Sequence, residues 1–366
     1  MASKEDIYFM VQAHKLAEKG RGTTSPNPMV GAVVVKNRSV VGQGFHLKAG
    51  TDHAEIVALK EAGEKAAGAT IYVTMEPCCH YGKTPPCTEA IIQSGIARVV
   101  AASNDDNPLV NCKGMERLKE AGIETETGIL ESQARKLNES YCTFIKTGLP
   151  FVTVKLAVTL DGKIADSDDN SAWITGQETR KRVHLWRSWS DAVMVGVGTV
   201  LSDNPKLTVR DAEGADPLRI IVDSTLRIPT DAQVLEDTNV LIATTELYDR
   251  GKYALLEKQH IEILIADDGN GKVSIPVLMK KLGERQITSL LCEGGAALAT
   301  ALLKERRADK IIMTIAPKIL GSGMSALGDF GIKGIDDALE LKDVDIECVE
   351  NDVIVCGYPD WHDSKR

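Results

Sequence analysis

Residues 51 to 87 run TDHAEIVALKEAGEKAAGATIYVTMEPCCHYGKTPPC. Ala54 to about Ala67 reads as a helix and Ala69 to Met75 as a strand, and three cysteines (Cys78, Cys79 and Cys87) then crowd into ten residues. Upstream, Met29 to Val35 and Ser39 to Gly44 are β-branched, glycine-bounded runs separated by Lys36-Asn37-Arg38, the pattern of a hairpin. Before them, Ser3-Lys4-Glu5-Asp6 is a capping-box pattern opening a helix through Ala17. Downstream, a helix (Thr88 to Ser94), a strand (Ala97 to Ala102), a helix (Lys113 to Glu120) and a strand (Ile123 to Thr127) follow. Strands alternating with helices imply a partly parallel sheet covered on its faces, a three-layer α/β/α unit.

A helix over Glu131 to Lys146 ends at Thr147-Gly148-Leu149-Pro150, where glycine and proline interrupt helix and sheet alike. The domain boundary belongs there, giving domains 1–147 and 148–366; 366 residues exceed what one core usually fills. The second half restarts with a strand at Phe151 to Val158 and a helix near Gln177 to Trp189, followed by strands at Asp191 to Val197, Leu218 to Val222 and Val240 to Thr244. A helix to Lys258 and a further strand and helix lead to the strand Ser289 to Cys292, the helix Ala296 to Lys304, the strand Lys310 to Ala316 and closing strands around Ile346 to Gly357. This is a second α/β domain on a mixed sheet.

Composition, 43% hydrophobic and 26% charged, is that of an ordinary globular chain. No apolar run approaches the ~18 residues of a membrane span, and MASKEDIYFM lacks the apolar core of a signal peptide, so a cytoplasmic protein is expected. Net charge is -9, and residues 1 to 146 carry 17 basic and 17 acidic side chains, so neither half offers the basic face of a nucleic-acid binder. A homo-oligomer is the expected state. Eight cysteines spread over a long chain without a secretion signal do not suggest a disulfide framework.

The cysteine cluster has a chemical reading. His53 with Cys78 and Cys87 would give zinc one imidazole and two thiolates, leaving the fourth tetrahedral position for water. That water's pKa can fall from 15.7 toward ~7, which supplies a nucleophile at neutral pH. Glu55, two residues beyond His53 in the first helical turn, can reach the same position, and Cys87 opens a helix whose positive end favours a thiolate. Two bland readings stand beside this one: Asp52-x-x-Glu55 as a capping box, and Cys78 and Cys87 as core thiols. Cys79 and His80 are rival ligands.

The H-x-E and P-C elements resemble the zinc-dependent cytidine-deaminase superfamily, whose glutamate is the general acid/base. Eight residues rather than two separate Cys78 from Cys87, and this longer form, with Pro26-Asn27-Pro28-Met29-Val30-Gly31 and Asp106-Asn107-Pro108, is similar to the bifunctional riboflavin-biosynthesis deaminase–reductases. The resemblance places the metal on His53, Cys78 and Cys87 and the catalytic role on Glu55. His80, Lys83 and Asn27 sit close in the motif segments as possible substrate contacts.

In the second half, Gly196-x-Gly198 alone is weak, whereas Glu293-Gly294-Gly295 joins a strand to a helix whose free N–H groups can cradle a phosphate. Asp223-Ser224-Thr225 with Arg227 suits an adenosine 2'-phosphate or a plain turn. Lys155-Leu156-Ala157, Leu160-Asp161-Gly162-Lys163, Ser171-Ala172-Trp173-Ile174-Thr175 and Leu207-Thr208-Val209-Arg210 resemble the reductase half of the same family, similar in fold to dihydrofolate reductase. The resemblance implies NADPH contacts at Ala157, Trp173, Thr199, Asp203, Ser224 and Gly295, Ala296, Ala297, Leu298, Ala299, Thr300 and Ala301. It implies substrate contacts at Ser171, Arg187, Leu207, Arg210 and Glu293, the two arginines offering bidentate donors to a sugar phosphate. Lys155 and Asp203 are candidates for handling charge and protons near the transferred hydride.

The expected function is therefore zinc-dependent removal of a pyrimidine 2-amino group followed by NADPH-dependent reduction of ribosyl to ribityl, on a phosphorylated small molecule. A nucleic-acid or nucleoside deaminase with an appended domain, and a binding protein with a four-ligand structural zinc, are the rivals.

Overall fold

The computed structural model describes residues 3–81, 85–108, 110–168 and 170–361. Lys83 lies outside them. The chain forms two compact units that part between Gly148 and Leu149.

The first unit carries strands β1 (Gly31–Lys36), β2 (Ser39–Phe45), β3 (Thr70–Val73), β4 (Arg98–Ala101) and β5 (Glu124–Thr127). Its helices are α1 (Lys4–Ala17), α2 (Ala54–Ala62), α3 (Cys87–Gln93), α4 (Lys113–Glu120), α5 (Glu131–Leu137) and α6 (Glu139–Thr147). The sheet order is β2-β1-β3-β4-β5, with β1 antiparallel to both neighbours and β3, β4 and β5 parallel. Asn37 and Arg38 both have positive φ (51° and 60°), the backbone that a two-residue hairpin requires. Alternation along the strands feeds two cores. Ala32, Val34, Ile71, Val73 and Val99 pack with α2, α3 and α4, while Val33, Tyr72 and Val100 pack with Phe9, Met10 and Ala13 of α1 and Ala134 of α5.

Two readings change here. The segment expected as one helix over Glu131 to Lys146 breaks at Asn138, whose amide accepts from the Met29 N–H at 2.7 Å and donates to the Met29 carbonyl at 2.9 Å. Asp52 pairs with Lys60 at 2.6 Å, and the N-cap of α2 is His53, so the Asp52-x-x-Glu55 capping box does not form.

The second unit holds β6 (Phe151–Thr159), β7 (Lys163–Ala165), α7 (Gln177–Ser188), β8 (Ala192–Gly196), α8 (Val197–Asp203), β9 (Leu218–Val222), β10 (Val240–Thr244), α9 (Arg250–Lys258) and β11 (Glu262–Ile265). It continues with α10 (Ile275–Glu284), β12 (Ser289–Cys292), α11 (Ala296–Lys304), β13 (Lys310–Ala316), β14 (Met324–Ser325), β15 (Leu341–Val349) and β16 (Asp352–Pro359). Nine strands form one sheet in the order β11-β10-β9-β8-β12-β6-β13-β16-β15, parallel from β11 to β13 and antiparallel at β16 and β15. From β8 the chain passes through α8 to β9 on one side; from β12 it passes through α11 toward β13 on the other. Adjacent strands that lead away in opposite directions leave a crevice at their carboxyl ends, where open α/β sheets bind ligands.

Candidate active site

His53 caps α2 with extended backbone (φ -71°, ψ 160°), so its side chain leaves from the mouth of the helix, and Glu55 follows in the first turn. Cys78 lies in the irregular segment after β3, and Cys87 is the first residue of α3, behind Pro86. Backbone bonds fix the two thiols together: Cys87 N–H donates to Cys78 Sγ at 3.4 Å, and Thr88 N–H donates to the Cys78 carbonyl at 3.2 Å. His53 Nδ1 lies 3.2 Å from Cys87 Sγ and 3.6 Å from Cys78 Sγ.

One potential ligand atom from each of His53, Cys78 and Cys87 falls within 4.8 Å of the others. Bonds of ~2.3 Å to sulfur and ~2.0 Å to nitrogen at a tetrahedral angle would separate N from S by roughly 3.6 Å. The residues present thus fit zinc without rearrangement. Among the described residues neither Cys79 nor His80 joins the group, so three ligands leave a fourth position open, which distinguishes a catalytic zinc from a structural one.

The electrostatics of the ligand set suit a cation. Hydrogen bonding from Cys87, and then the His53 imidazole, hold Cys78 as a thiolate with its pKa lowered to about 4 against burial. That thiolate, followed by the Glu55 charge, raises His53 to about 9. The Cys87 thiol is pushed up by its bond to Cys78 and by burial. Glu55 is 3% exposed, and burial, then the nearby Cys78 charge, raises its carboxyl to about 7.

Two supports come from residues whose part the sequence did not announce. Glu76, 4% exposed, accepts four backbone N–H groups: Asp105 (3.2 Å) and Cys112 (2.9 Å) on one oxygen, Gly114 (2.9 Å) and Met115 (3.2 Å) on the other. It ties the segment bearing Cys78 to the start of α4. His46 stands edge-on to His53 with ring centroids 5.3 Å apart, its Nδ1 3.1 Å from the Asp52 carbonyl and its Nε2 3.1 Å from the Asn27 amide. Asn27, expected near substrate, is therefore engaged with His46.

In the second unit a cavity of about 570 Å³ opens at the carboxyl ends of β8 and β12, within the usual range for a small-molecule site. Lys155 and Ala157 of β6, Ser171 and Trp173, Thr199 and Asp203 of α8, and Arg187, Arg210 and Glu293 all line it. So does the first turn of α11, from Gly295 to Leu298. A Cβ on Gly294 would meet the Gly196 amide nitrogen at 3.1 Å and Leu298 at 2.9 Å, so glycine is what lets the two strand ends close up. Gly295 N–H donates to Thr199 Oγ1 at 3.2 Å. Free N–H groups at a helix mouth, in a cavity at the sheet's switch point, fit a dinucleotide phosphate.

Several residues stand elsewhere than expected. Ala299 is fully buried in the core and Ala301 packs against it, while Thr300 donates to the Ala296 carbonyl at 2.5 Å and accepts from the Gly328 N–H at 2.8 Å. The cavity lies at the N-terminal end of α11, so only the first turn reaches it, while Ala299, Leu302 and Leu303 face the core farther along. Leu207 is buried in the core beside Val197 and Val200, and Ser224 accepts from the Val273 N–H at 3.1 Å; neither lines the cavity. Trp173, which lines the cavity, is 70% exposed, with the Arg180 guanidinium 4.6 Å over its ring. The Arg187 fork is occupied: Nε and Nη2 donate to Glu293 at 2.5 and 2.9 Å, and Nη1 donates to the Thr208 carbonyl at 3.0 Å. Burial works against the Glu293 charge, but Arg187 and then Lys155 hold its carboxyl below the usual range. Burial lowers the Lys155 ammonium, with Glu293 opposing. Arg210 is exposed, and its Nη1 donates to Thr208 Oγ1 at 3.1 Å.

Residues 3–103 match the cytidine and deoxycytidylate deaminase zinc-binding region, and residues 150–355 match the RibD C-terminal domain. Riboflavin biosynthesis protein RibD of Aquifex aeolicus is 46% identical over 358 residues, spanning 97% of this chain and 99% of that one. The chain belongs to the RibD family. Acinetobacter baumannii RibD superposes with a TM-score of 0.88 at 39% identity, over 97% of this chain and 99% of that one. The Thermotoga maritima diaminohydroxyphosphoribosylaminopyrimidine deaminase/5-amino-6-(5-phosphoribosylamino)uracil reductase superposes at 0.85 with 38% identity, over 97% and 99%. A RibD chain is an enzyme of riboflavin biosynthesis with a zinc deaminase and an NADPH-dependent reductase half, as both family matches require. No helix among the described residues is long and apolar enough to cross a membrane.

Proposed function

We propose that residues 1–147 deaminate 2,5-diamino-6-(5-phosphoribosylamino)pyrimidin-4(3H)-one and that residues 148–366 reduce the product's ribosyl group to ribityl with NADPH. The observation that carries the first half is the convergence of His53, Cys78 and Cys87 next to the buried Glu55 carboxyl. Zinc held by those three residues supplies the Lewis acidity that makes water a nucleophile at neutral pH. Glu55 takes the attacking water's proton and returns protons to the ring nitrogen and the departing amine, so ammonia leaves and an oxygen replaces it. A carboxyl raised by burial exchanges protons near neutral pH more readily than an ordinary glutamate.

In the second half NADPH supplies the hydride. The first turn of α11 and Thr199 hold its phosphates, and Trp173 and Ala157 border the cofactor. Ser171 and Glu293 position the ribotide, with Arg187 bracing Glu293, and Arg210 offers the exposed guanidinium a sugar phosphate needs. Lys155 and Asp203 manage charge beside the transferred hydride; Asp203 Oδ1 already accepts from Ser171 at 2.8 Å.

Reduced thiols as ligands favour the cytoplasm, and an overall charge of -9 disfavours nucleic acid as a partner. The edge strand β15 exposes Val344 and Ile346 and suits a homo-oligomeric contact, which sedimentation measures directly. Incubating the purified chain with the diaminopyrimidine ribotide, with and without NADPH, tests the whole proposal. Ammonia is expected in both cases and NADPH oxidation only after deamination; neither signal would refute it.

A further inference from the structure

Between Asn204 and Arg210 the chain is neither helix nor strand, so its backbone polar groups need partners from side chains. The segment finds them on α7. The Thr208 carbonyl accepts from Arg187 Nη1 at 3.0 Å, and the Arg210 N–H points at His184 Nδ1 at 3.3 Å. Between them the Val209 N–H donates to Asp216 Oδ1 at 2.6 Å. His184 and Arg187 are three residues apart on one helix face, and both line the cavity.

His184 Nδ1 also lies 3.1 Å from the Thr208 carbonyl, and its two contacts require opposite tautomers. Nε2 stands 3.6 Å from the Asp211 carboxylate, which favours the proton there. Burial, then the charges of Arg187 and Arg210, lower the ring's proton affinity and keep it neutral, with Asp211 the opposing charge. With the proton on Nε2, Nδ1 accepts from the Arg210 N–H while the Thr208 carbonyl keeps its Arg187 donor.

We propose that His184 is a positioning residue for phosphate recognition, fixing the backbone from which the Arg210 guanidinium faces the cavity. The inference rests on Arg210 as the phosphate ligand. Arg187 serves the same clamp from the other end, which explains why its fork is filled by protein groups instead of standing open.

The test is steady-state reduction by the full chain of 5-amino-6-(5-phosphoribosylamino)uracil and of its dephosphorylated counterpart. Arg210→Ala and His184→Ala should each raise KM for the phosphorylated compound about tenfold or more, with kcat within about twofold and the dephosphorylated compound's KM unmoved. His184→Asn, whose amide oxygen stands near the position of Nδ1, should restore most of the loss. His184→Phe keeps a ring without the acceptor and carries the test should the alanine variant not fold. An unchanged KM in Arg210→Ala removes the phosphate reading and the inference with it. A raised KM in Arg210→Ala alone overturns only the positioning role. Equal losses on both compounds in the His184 variants mark general damage and overturn it too.

Discussion

At the metal site the protons are arranged before any cation arrives. Cys78 is anionic, while His53, raised to about 9, and the Cys87 thiol each keep a proton that a metal must displace. At pH 8, zinc binding should therefore release about two protons per chain, one from each of those residues. Calorimetry in buffers of differing ionisation enthalpy counts them. Because the raised His53 value lies above that pH, apparent zinc affinity should weaken steadily as pH falls from about 9. A count near zero would mean that the ligands are already ionised in the metal-free protein. Glu76 belongs to the same scale: its carboxylate gathers four N–H groups, and an amide in its place would turn a donor toward two of them.

Elements hold these residues through close approaches that tolerate no extra atoms. A Cβ on Gly114, at the start of α4, would lie 2.1 Å from the Pro77 carbonyl oxygen, next to Cys78. Gly114→Ala should lower stability by about 1–3 kcal/mol and reduce bound zinc, because the only relief is to push the Cys78 segment away; thermal unfolding and metal analysis check both. On the opposite face of the sheet, Asp6 is buried yet held down at about 2, because Arg98, Ser3 and Tyr72 together outweigh burial. This depressed value stabilises the fold by about 2 kcal/mol above pH 4, an advantage lost as pH falls toward 2, and Asp6→Asn should erase that part of the acid profile. Much of this level was readable in the sequence, since β-branched runs, Ser3 and the glycines announce themselves locally. β9, β10, β12, β13, α4 and α11 fall where the patterns put them. The break at Asn138 did not show, because its cause is a pair of hydrogen bonds to Met29, more than a hundred positions away in sequence. The same holds for His184 and Glu76, whose hydrogen-bond partners are backbone groups and leave no motif. Residue type could not say that Leu207 and Ala299 would turn into the core.

Across the whole molecule, each reacting group draws its supports from its own unit. Glu55, the three metal ligands, Glu76 and His46 lie before Gly148, and the cavity residues lie after Leu149. The two chemistries should therefore be separable by single substitutions. Glu55→Gln keeps the side chain's size but cannot take the water's proton, so ammonia release should fall by at least ~100-fold. Zinc content should stay unchanged, since Glu55 is not among the grouped ligands. NADPH oxidation should persist when the deaminated intermediate is supplied directly. In the reverse direction, Asp203→Ala removes the carboxylate that accepts from Ser171 and Ser202, and reduction should fall while ammonia release continues. Parallel assays on both variants, with zinc analysis of each, decide the matter. A folded, zinc-loaded Glu55→Gln protein that lost reduction of the supplied intermediate as completely as deamination would require one shared site or obligatory coupling.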